Sequence, residues 1–483
     1  MTNPPRQMIL TVSVVLLALG AGFAVASFQP DMVLFGLLAV LIFGISFVNI
    51  ELGLYILIFS MLLSPEIIVG ETTGGSGARG VTLRVEDFLL LIIGLSWFAK
   101  TSVVKDMGLF IRTPINKAIV IYITVSLVAT LVGIIAGRVS PITGLLFVLK
   151  YVEYFVVYFM IANHIRNTGQ IKRFLICLFL TAFTVAVIGT LQTPLGERVS
   201  APFEGEVGEP NTFGGYLLLI GCVAAGLLAK VKDGRARIAL IILIASLLPP
   251  FFLTQSRASY LGLIPAAMSL AILLERKVII AGVVLLALIL SPYFLPTIVK
   301  ERILYTITQP EHPGQILIGD VRLDTSTSAR LISWREAIAD WTRKPLLGFG
   351  VTGYAFMDAQ FPRVLIETGI LGLAAFLYLV FTLFKMAFAH LKRVNAPVSR
   401  GLIIGFISGY IGLIVHSLGA NTFIIVRIME PFWFFAGMVA VLPSLEARTT
   451  GRSPLTAATV KYRESFPRHP DKDMPGQPFP DAR

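Results

Sequence analysis

Two cysteines among 483 residues, Cys177 and Cys222, both set inside apolar runs, exclude a disulfide framework and a cysteine metal cluster. The five histidines, His164, His312, His390, His416 and His469, are scattered without ligand spacing, so no metal and no other cofactor is expected. Charge is scarce too: 14% of residues are Asp, Glu, Lys or Arg, well under the share of a soluble domain. The stretch Gly74-Gly75-Ser76-Gly77 lacks the Gly-Lys-Ser/Thr ending of a phosphate-binding loop and reads as a flexible connection. Short alternating segments of the kind that build membrane barrels are missing. So is a repeat of fixed period, although inverted repeats leave no such trace in one sequence.

What fills the chain is apolar. Hydrophobic residues make up 55% of it and its mean hydropathy is +0.81. Runs of roughly 17 to 25 residues recur, each long enough to cross a hydrocarbon core of about 30 Å as a helix. Spans are predicted at 8–27, 32–48, 52–69, 86–99, 117–137, 141–162, 174–192, 213–229, 238–253, 259–274, 278–297, 364–389, 402–421 and 431–447. The fold class is therefore an all-α polytopic membrane protein with about 12 to 14 transmembrane helices, the second, fourth and tenth spans being the short ones. The first run ends in Ala24-Val25-Ala26, which resembles a signal-peptidase site. Because further spans follow at once, it is read as a retained anchor.

A net charge of +12 invites a nucleic-acid reading, but the positions of the basic residues exclude it. Arg6, then Lys100, Lys105, Arg112 and Lys117, then Arg166, Lys172 and Arg173, then Lys230, Lys232, Arg235 and Arg237, then Arg276 and Lys277, then Lys385, Lys392, Arg393 and Arg400 fall on alternate loops. With seven in the C-terminal tail they account for 25 of the 40 lysines and arginines. This positive-inside pattern places both termini in the cytoplasm. The intervening loops, with Arg79, Arg84, Arg138, Arg198, Arg257, Arg427 and the whole 298–363 segment, then face outward. The expected organisation is eleven spans over 1–297, an outer loop over 298–363, three spans over 364–447 and a disordered cytoplasmic tail over 448–483, where Pro454, Pro467, Pro470, Pro475, Pro478 and Pro480 are mixed with charges.

The outer loop is the one long polar break. Within it Leu331, Trp334, Ile338 and Trp341 recur at three- and four-residue spacing, opposite Glu336, Asp340 and Arg343, which predicts an amphipathic helix. Ser328 is its expected cap and Pro345 its stop. The aromatic face either lies on the membrane-water boundary or caps the bundle.

Four outward signals carry chemistry or a plain alternative. Arg198, followed by Glu209-Pro210-Asn211-Thr212-Phe213-Gly214, marks the start of the eighth span, where free backbone N-H groups favour an anion; an ordinary helix start with a stabilising Asn explains the same residues. Thr254-Gln255-Ser256-Arg257-Ala258-Ser259 wedges a guanidinium between two apolar runs, which is costly without an anion or a carboxylate; the alternative is an arginine reaching for headgroups. Arg330 offers the planar, permanently charged fork that suits a diphosphate, or is a solvated helix residue. Asp358, in Asp358-Ala359-Gln360-Phe361-Pro362-Arg363, can accept a hydroxyl proton if its ordinary pKa of about 3.9 is raised, or is a loop residue. In mid-membrane, Lys150 and Glu153 read as a mutually neutralising pair, and Gly405 with Gly409 as a helix-packing face.

Taken in order, Glu209-Pro210-Asn211 with Phe213-Gly214, Thr254 to Arg257, Arg330 to Trp334 with Pro345-Leu346-Leu347-Gly348-Phe349-Gly350, and Leu365-Ile366-Glu367-Thr368-Gly369-Ile370-Leu371-Gly372 resemble the O-antigen ligase and polymerase family of bacterial surface-polysaccharide assembly. The resemblance covers roughly residues 195 to 445. It implies a metal-independent, GT-C-like glycosyltransferase of the bacterial inner membrane, active on the periplasmic face. The implied donor is a glycan on undecaprenyl diphosphate. The implied partners are the lipid membrane and a chain-length regulator or flippase of the same pathway, with no nucleic acid. In that setting Arg257, Arg330 and Asp358 are the catalytic candidates, and Arg198, Asn211, Arg138, Arg363 and His312 the substrate-binding ones. Ligases of the family carry a histidine about nine residues before the Glu of Glu-x-Gly-x-x-Gly, and here Asp358 holds that place. The expectation is therefore a polymerase of O-antigen or exopolysaccharide repeat units first, and a ligase acting on lipid A-core second. A lipid-linked glycan flippase or transporter, which the Lys150/Glu153 pair would suit, is the rival from another class. A protein-modifying oligosaccharyltransferase shares the donor logic.

Overall fold

The structure, a computed structural model, describes residues 30–69, 81–103, 112–192, 198–202, 208–274, 300, 304–305, 309–319 and 321–449. The first and eleventh expected spans, and the tail beyond Thr449, lie outside the described residues.

Each of the other twelve spans falls on an α-helix: α1 Pro30–Val48, α2 Ile50–Leu63, α3 Val85–Val103, α4 Asn116–Ile135, α5 Pro141–His164, α6 Thr168–Leu191, α7 Pro210–Lys230, α8 Gly234–Leu253 and α9 Arg257–Leu273, then α11 Gln360–Leu391, α12 Pro397–His416 and α13 Val426–Thr449. The amphipathic helix, α10 Thr325–Trp341, stands between the two sets. The non-helical pieces are two antiparallel hairpins, β1 Glu66–Val69 with β2 Val81–Arg84 and β3 Leu317–Ile318 with β4 Val321–Arg322. Among the described residues eight helices, α4 to α8 and α11 to α13, are long and apolar enough to cross a membrane. The protein is an all-helical, multi-pass membrane protein.

Local sequence sets the helix starts. Asn167 and Gln170 form a reciprocal capping box on α6, Asp233 accepts Ala236 N-H on α8, and Ser256 accepts Ser259 N-H on α9. Proline opens α5, α7 and α12, where a missing N-H costs nothing. Two expected spans were drawn too long. The third ends at Leu63 because its last residues leave the helix for β1. The thirteenth ends at His416 and turns through Ser417 to Ile425. Apolarity alone marks burial, and both segments are apolar without being helical.

Close helix contacts fall on glycine. A Cβ on Gly226 of α7 would meet the Gly401 carbonyl and Gly405 N of α12 at 2.5 Å, and one on Gly405 would meet the Cys222 carbonyl at 2.6 Å. The small-residue face predicted at Gly405 and Gly409 is thus an α7–α12 seam. Lys150 does not pair with Glu153: its Nζ lies 2.8 Å from Asp87 Oδ2 of α3. Sequence spacing sees neighbours on one helix, whereas a buried lysine takes the carboxylate that a neighbouring helix presents.

Cross-contacts sort the loops into two ends. Arg173 reaches Glu51 at 2.7 Å, Lys100 reaches the Val48 carbonyl, and Asn395 N-H reaches Glu446 at one end. Arg198, Asn211, Arg257, Asp324, Asp358 and the 417–425 turn gather at the other.

Candidate functional site

The site grows from the turn between α8 and α9. Gln255 takes a left-handed φ of 50°, unusual for a residue with a side chain, and the turn is pinned on every side. Arg198 donates from Nε to the Thr254 carbonyl (3.0 Å) and from Nη2 to the Gln255 carbonyl (3.2 Å). Ser256 Oγ donates to Asn211 Oδ1 (2.8 Å) and accepts Ser259 Oγ at the same distance. The structure therefore brings Arg198 and Asn211 to the turn that precedes Arg257. They hold the turn in place.

Arg257 is the first residue of α9, directly after its cap. Its Nη1 pairs with Asp324 Oδ2 at 2.7 Å, while Nε and Nη2 are buried without a hydrogen-bond partner. Asp324 opens α10. Burial works to raise its pKa, but the approach of Thr327 and the ion pair with Arg257 outweigh that and hold it below the usual carboxylate range. The expected cap, Ser328, lies instead inside the first turn, fully buried, where its Oγ accepts Ile316 N-H at 2.9 Å.

One and a half turns along α10, Arg330 pairs through Nη2 with Asp358 Oδ2 at 3.1 Å and through Nη1 with Ser326 Oγ at 3.2 Å, leaving a buried Nε unpartnered. At 1.5 Å rise per residue, Asp324 and Arg330 stand ~9 Å apart along the helix, so α10 carries one member of each arginine–carboxylate pair. Its aromatic face caps the bundle. Trp334 and Trp341 pack on Ala337, Met357, Ala359 and Ile366 with Phe349 and Tyr354. Tyr354 donates to Asp340 Oδ2 at 2.7 Å, and burial together with that carboxylate pushes its phenol up to about 12.

Beneath this surface two sequence motifs lock together. Gly369 breaks α11 with φ 67°. Ile370 N-H then donates to the Pro345 carbonyl (2.9 Å), Phe349 N-H to Ile366 (3.0 Å) and Gly350 N-H to Glu367 (2.8 Å). A side chain on Gly369 would strike the Leu346 carbonyl, and one on Gly348 the Ile366 carbonyl. The Glu367 carboxylate accepts Thr352 N-H at 3.2 Å and pairs with Arg363 at 3.1 Å. Arg363 is buried between the Phe147 and Phe356 rings at 5.7 and 5.8 Å. Its sequence position in an outer loop gave no sign that Glu367, one turn on, would claim it. Arg138 lies over the Phe349 ring at 5.8 Å with a buried, unpartnered Nε. His312 is exposed beside the β3–β4 hairpin, its N-H on Gln315, and among the described contacts it meets none of Arg257, Arg330 and Asp358.

Residues that sequence reasoning passed over complete the frame. Gln360 N-H donates to the Ser417 carbonyl (3.1 Å) and its Oε1 accepts Phe423 N-H (3.0 Å); Asn421 Nδ2 donates to the Met357 carbonyl (2.6 Å). These bonds fix the peptides on both sides of Asp358 across some 60 positions of sequence, a separation that no local pattern reveals. Asp324 did have a local signal, an acidic residue before Thr325-Ser326-Thr327 at a helix start. Among the described residues no group of His, Cys, Asp and Glu could hold a metal ion. What the surface offers is two arginines, each with an unused buried donor and a carboxylate beside it. No protein-family model matches the chain, and no curated protein matches it either.

Proposed function

We propose that the protein is a GT-C-like, metal-independent glycosyltransferase of a bacterial inner membrane, similar to the O-antigen ligase and polymerase family, with the α10 surface on the periplasmic side. The observation that carries this reading is the pair of arginines, Arg257 and Arg330, whose buried N-H groups lack partners. A bare guanidinium edge next to a membrane favours an anion with several oxygens, and a lipid diphosphate supplies them. In the proposed step an acceptor hydroxyl attacks the anomeric carbon of a glycan carried on undecaprenyl diphosphate. The new carbon–oxygen bond forms as the bond to the diphosphate breaks, Asp358 takes the hydroxyl proton, and the two arginines hold the departing charge. Asp358, half-buried with Arg330 at 3.1 Å, sits where that proton is released. Arg198 and Asn211 act through the turn, as positioning residues.

Polymerisation of repeat units is the first reading, because Asp358 and not a histidine stands beside Arg330. Purified protein given an undecaprenyl-diphosphate repeat unit with a chelator present is expected to yield a ladder of longer glycans. Transfer to added lipid A-core would identify a ligase instead. Unchanged substrate with folded protein, or substrate moved across a liposome without chemistry, would contradict both.

A further inference from the structure

A second group of charges lies inside the bundle, away from Arg257 and Arg330, where α3, α5 and α13 pack together beside the β1–β2 hairpin. Arg84 ends β2, Glu86 and Asp87 open α3, Lys150 and Glu153 stand one turn apart on α5, and Arg427 and Glu430 one turn apart on α13. All except Glu153 are at most 8% exposed. Two of the three cations have positions that contacts define. Lys150 Nζ lies 2.8 Å from Asp87 Oδ2, and Arg427 donates to the Pro202 (2.8 Å) and Ser64 (3.0 Å) carbonyls. Arg84 Nε stands 3.8 Å from Glu86 Oε1.

Four carboxyl groups thus face three cations among the described residues: Glu86 has Arg84 and Asp87 has Lys150, and of the remaining two, Glu153 and Glu430, Glu430 is the one that is fully buried with both oxygens lacking a donor. Neither of its oxygens receives a hydrogen bond, and its side chain is fully buried. Lys150 is already committed to Asp87. A carboxylate withdrawn from water without a counter-ion or donor carries a prohibitive desolvation cost, and a carboxyl so placed neutralises by taking up a proton. Intramembrane ionisable groups of this kind mark proton sites as well as substrate paths.

We propose that Glu430 binds a proton, making the α3–α5–α13 cluster a proton-binding site within the membrane bundle. The site is independent of the sugar-transfer reading but connected to its frame. Next to Glu153, Tyr154 donates to the Phe423 carbonyl at 3.2 Å, and Phe423 N-H is bonded to Gln360, two residues from Asp358.

Infrared difference spectroscopy on the purified full-length protein at neutral pH, in H2O and D2O, tests this directly. The expected result is a protonated-carboxyl carbonyl band that shifts on deuteration. It should lose intensity in Glu430→Gln and keep it in Asp87→Asn, whose carboxylate is paired with Lys150. Because Gln keeps the shape of a neutral Glu, Glu430→Gln is also expected to elute as a single species with the parental melting temperature. No such band in the wild type, which needs no variant to observe, would overturn the proposal. So would a band unchanged in Glu430→Gln, or a Gln variant that unfolds.

Discussion

Asp324 is the residue on which the arginine surface turns, since it opens α10 and neutralises half of Arg257 at 2.7 Å. Its pKa is held low in the folded protein, so its contribution to stability is present above the unfolded value of about 3.9 and is lost as pH falls through the folded one. The melting temperature of the parent should therefore drop more steeply below about pH 4 than that of Asp324→Asn, which lacks the titrating group. Asp358 calls for a different test. As the proposed acceptor of the hydroxyl proton, its replacement in Asp358→Asn should lower the turnover rate by about 10²- to 10⁴-fold while leaving donor KM near the parental value. A loss expressed only in KM would assign Asp358 to binding. Arg330 was legible as a charged residue on a helix edge, and Arg257 as a guanidinium in an apolar setting. Their carboxylate partners were not, because each comes from a segment 28 or 67 positions away.

Among the elements, the join between the Pro345–Gly350 motif and the broken start of α11 governs how Asp358 is presented. Gly369 has φ 67° and a side chain there would collide with the Leu346 carbonyl. Gly369→Ala is expected to cost at least roughly 1–2 kcal/mol for the left-handed backbone alone, and more for the displaced carbonyl. The readout is a lower melting temperature together with protease cleavage in the 345–353 segment. The sequence disclosed both halves of this join as separate glycine-bearing stretches. That they bond to each other needs three dimensions, because the register is set by the break at Gly369 and not by any local periodicity. Helix α10 was legible in detail, down to its aromatic stripe, since 3.6-residue periodicity survives in a polar context. The helix starts at Thr325, so the cap position is Asp324 and not the expected Ser328 four residues on; both are good cap residue types, and residue type alone does not choose between them.

At the scale of the whole molecule, alternation of basic loops already grouped the segments that share an end of the bundle. Apolar length located twelve helices, overrunning only where apolar chain turns without helix. Buried charge pairs such as Lys150 with Asp87 were invisible, since partner choice depends on which helices pack. The sidedness expected from the charge pattern can be measured by single cysteines in a background with Cys177 and Cys222 replaced. A membrane-impermeant maleimide should label Ala329→Cys in intact spheroplasts and Lys392→Cys only after permeabilisation. Labelling of both from one side would contradict the arrangement of the bundle, and the reverse pattern would contradict the outward placement of α10.

The central claim is that Arg257 and Arg330 together hold a leaving diphosphate. The most direct measurement is the rate of glycan transfer from undecaprenyl diphosphate by purified Arg257→Ala and Arg330→Ala, each beside the parent and an Arg343→Ala control in the exposed turn after α10. Loss of one fixed donor to developing charge is expected to slow transfer by about 10²- to 10³-fold in each of the first two, with the control at the parental rate and all four proteins equally folded. Parental rates in both Arg257→Ala and Arg330→Ala would contradict the account.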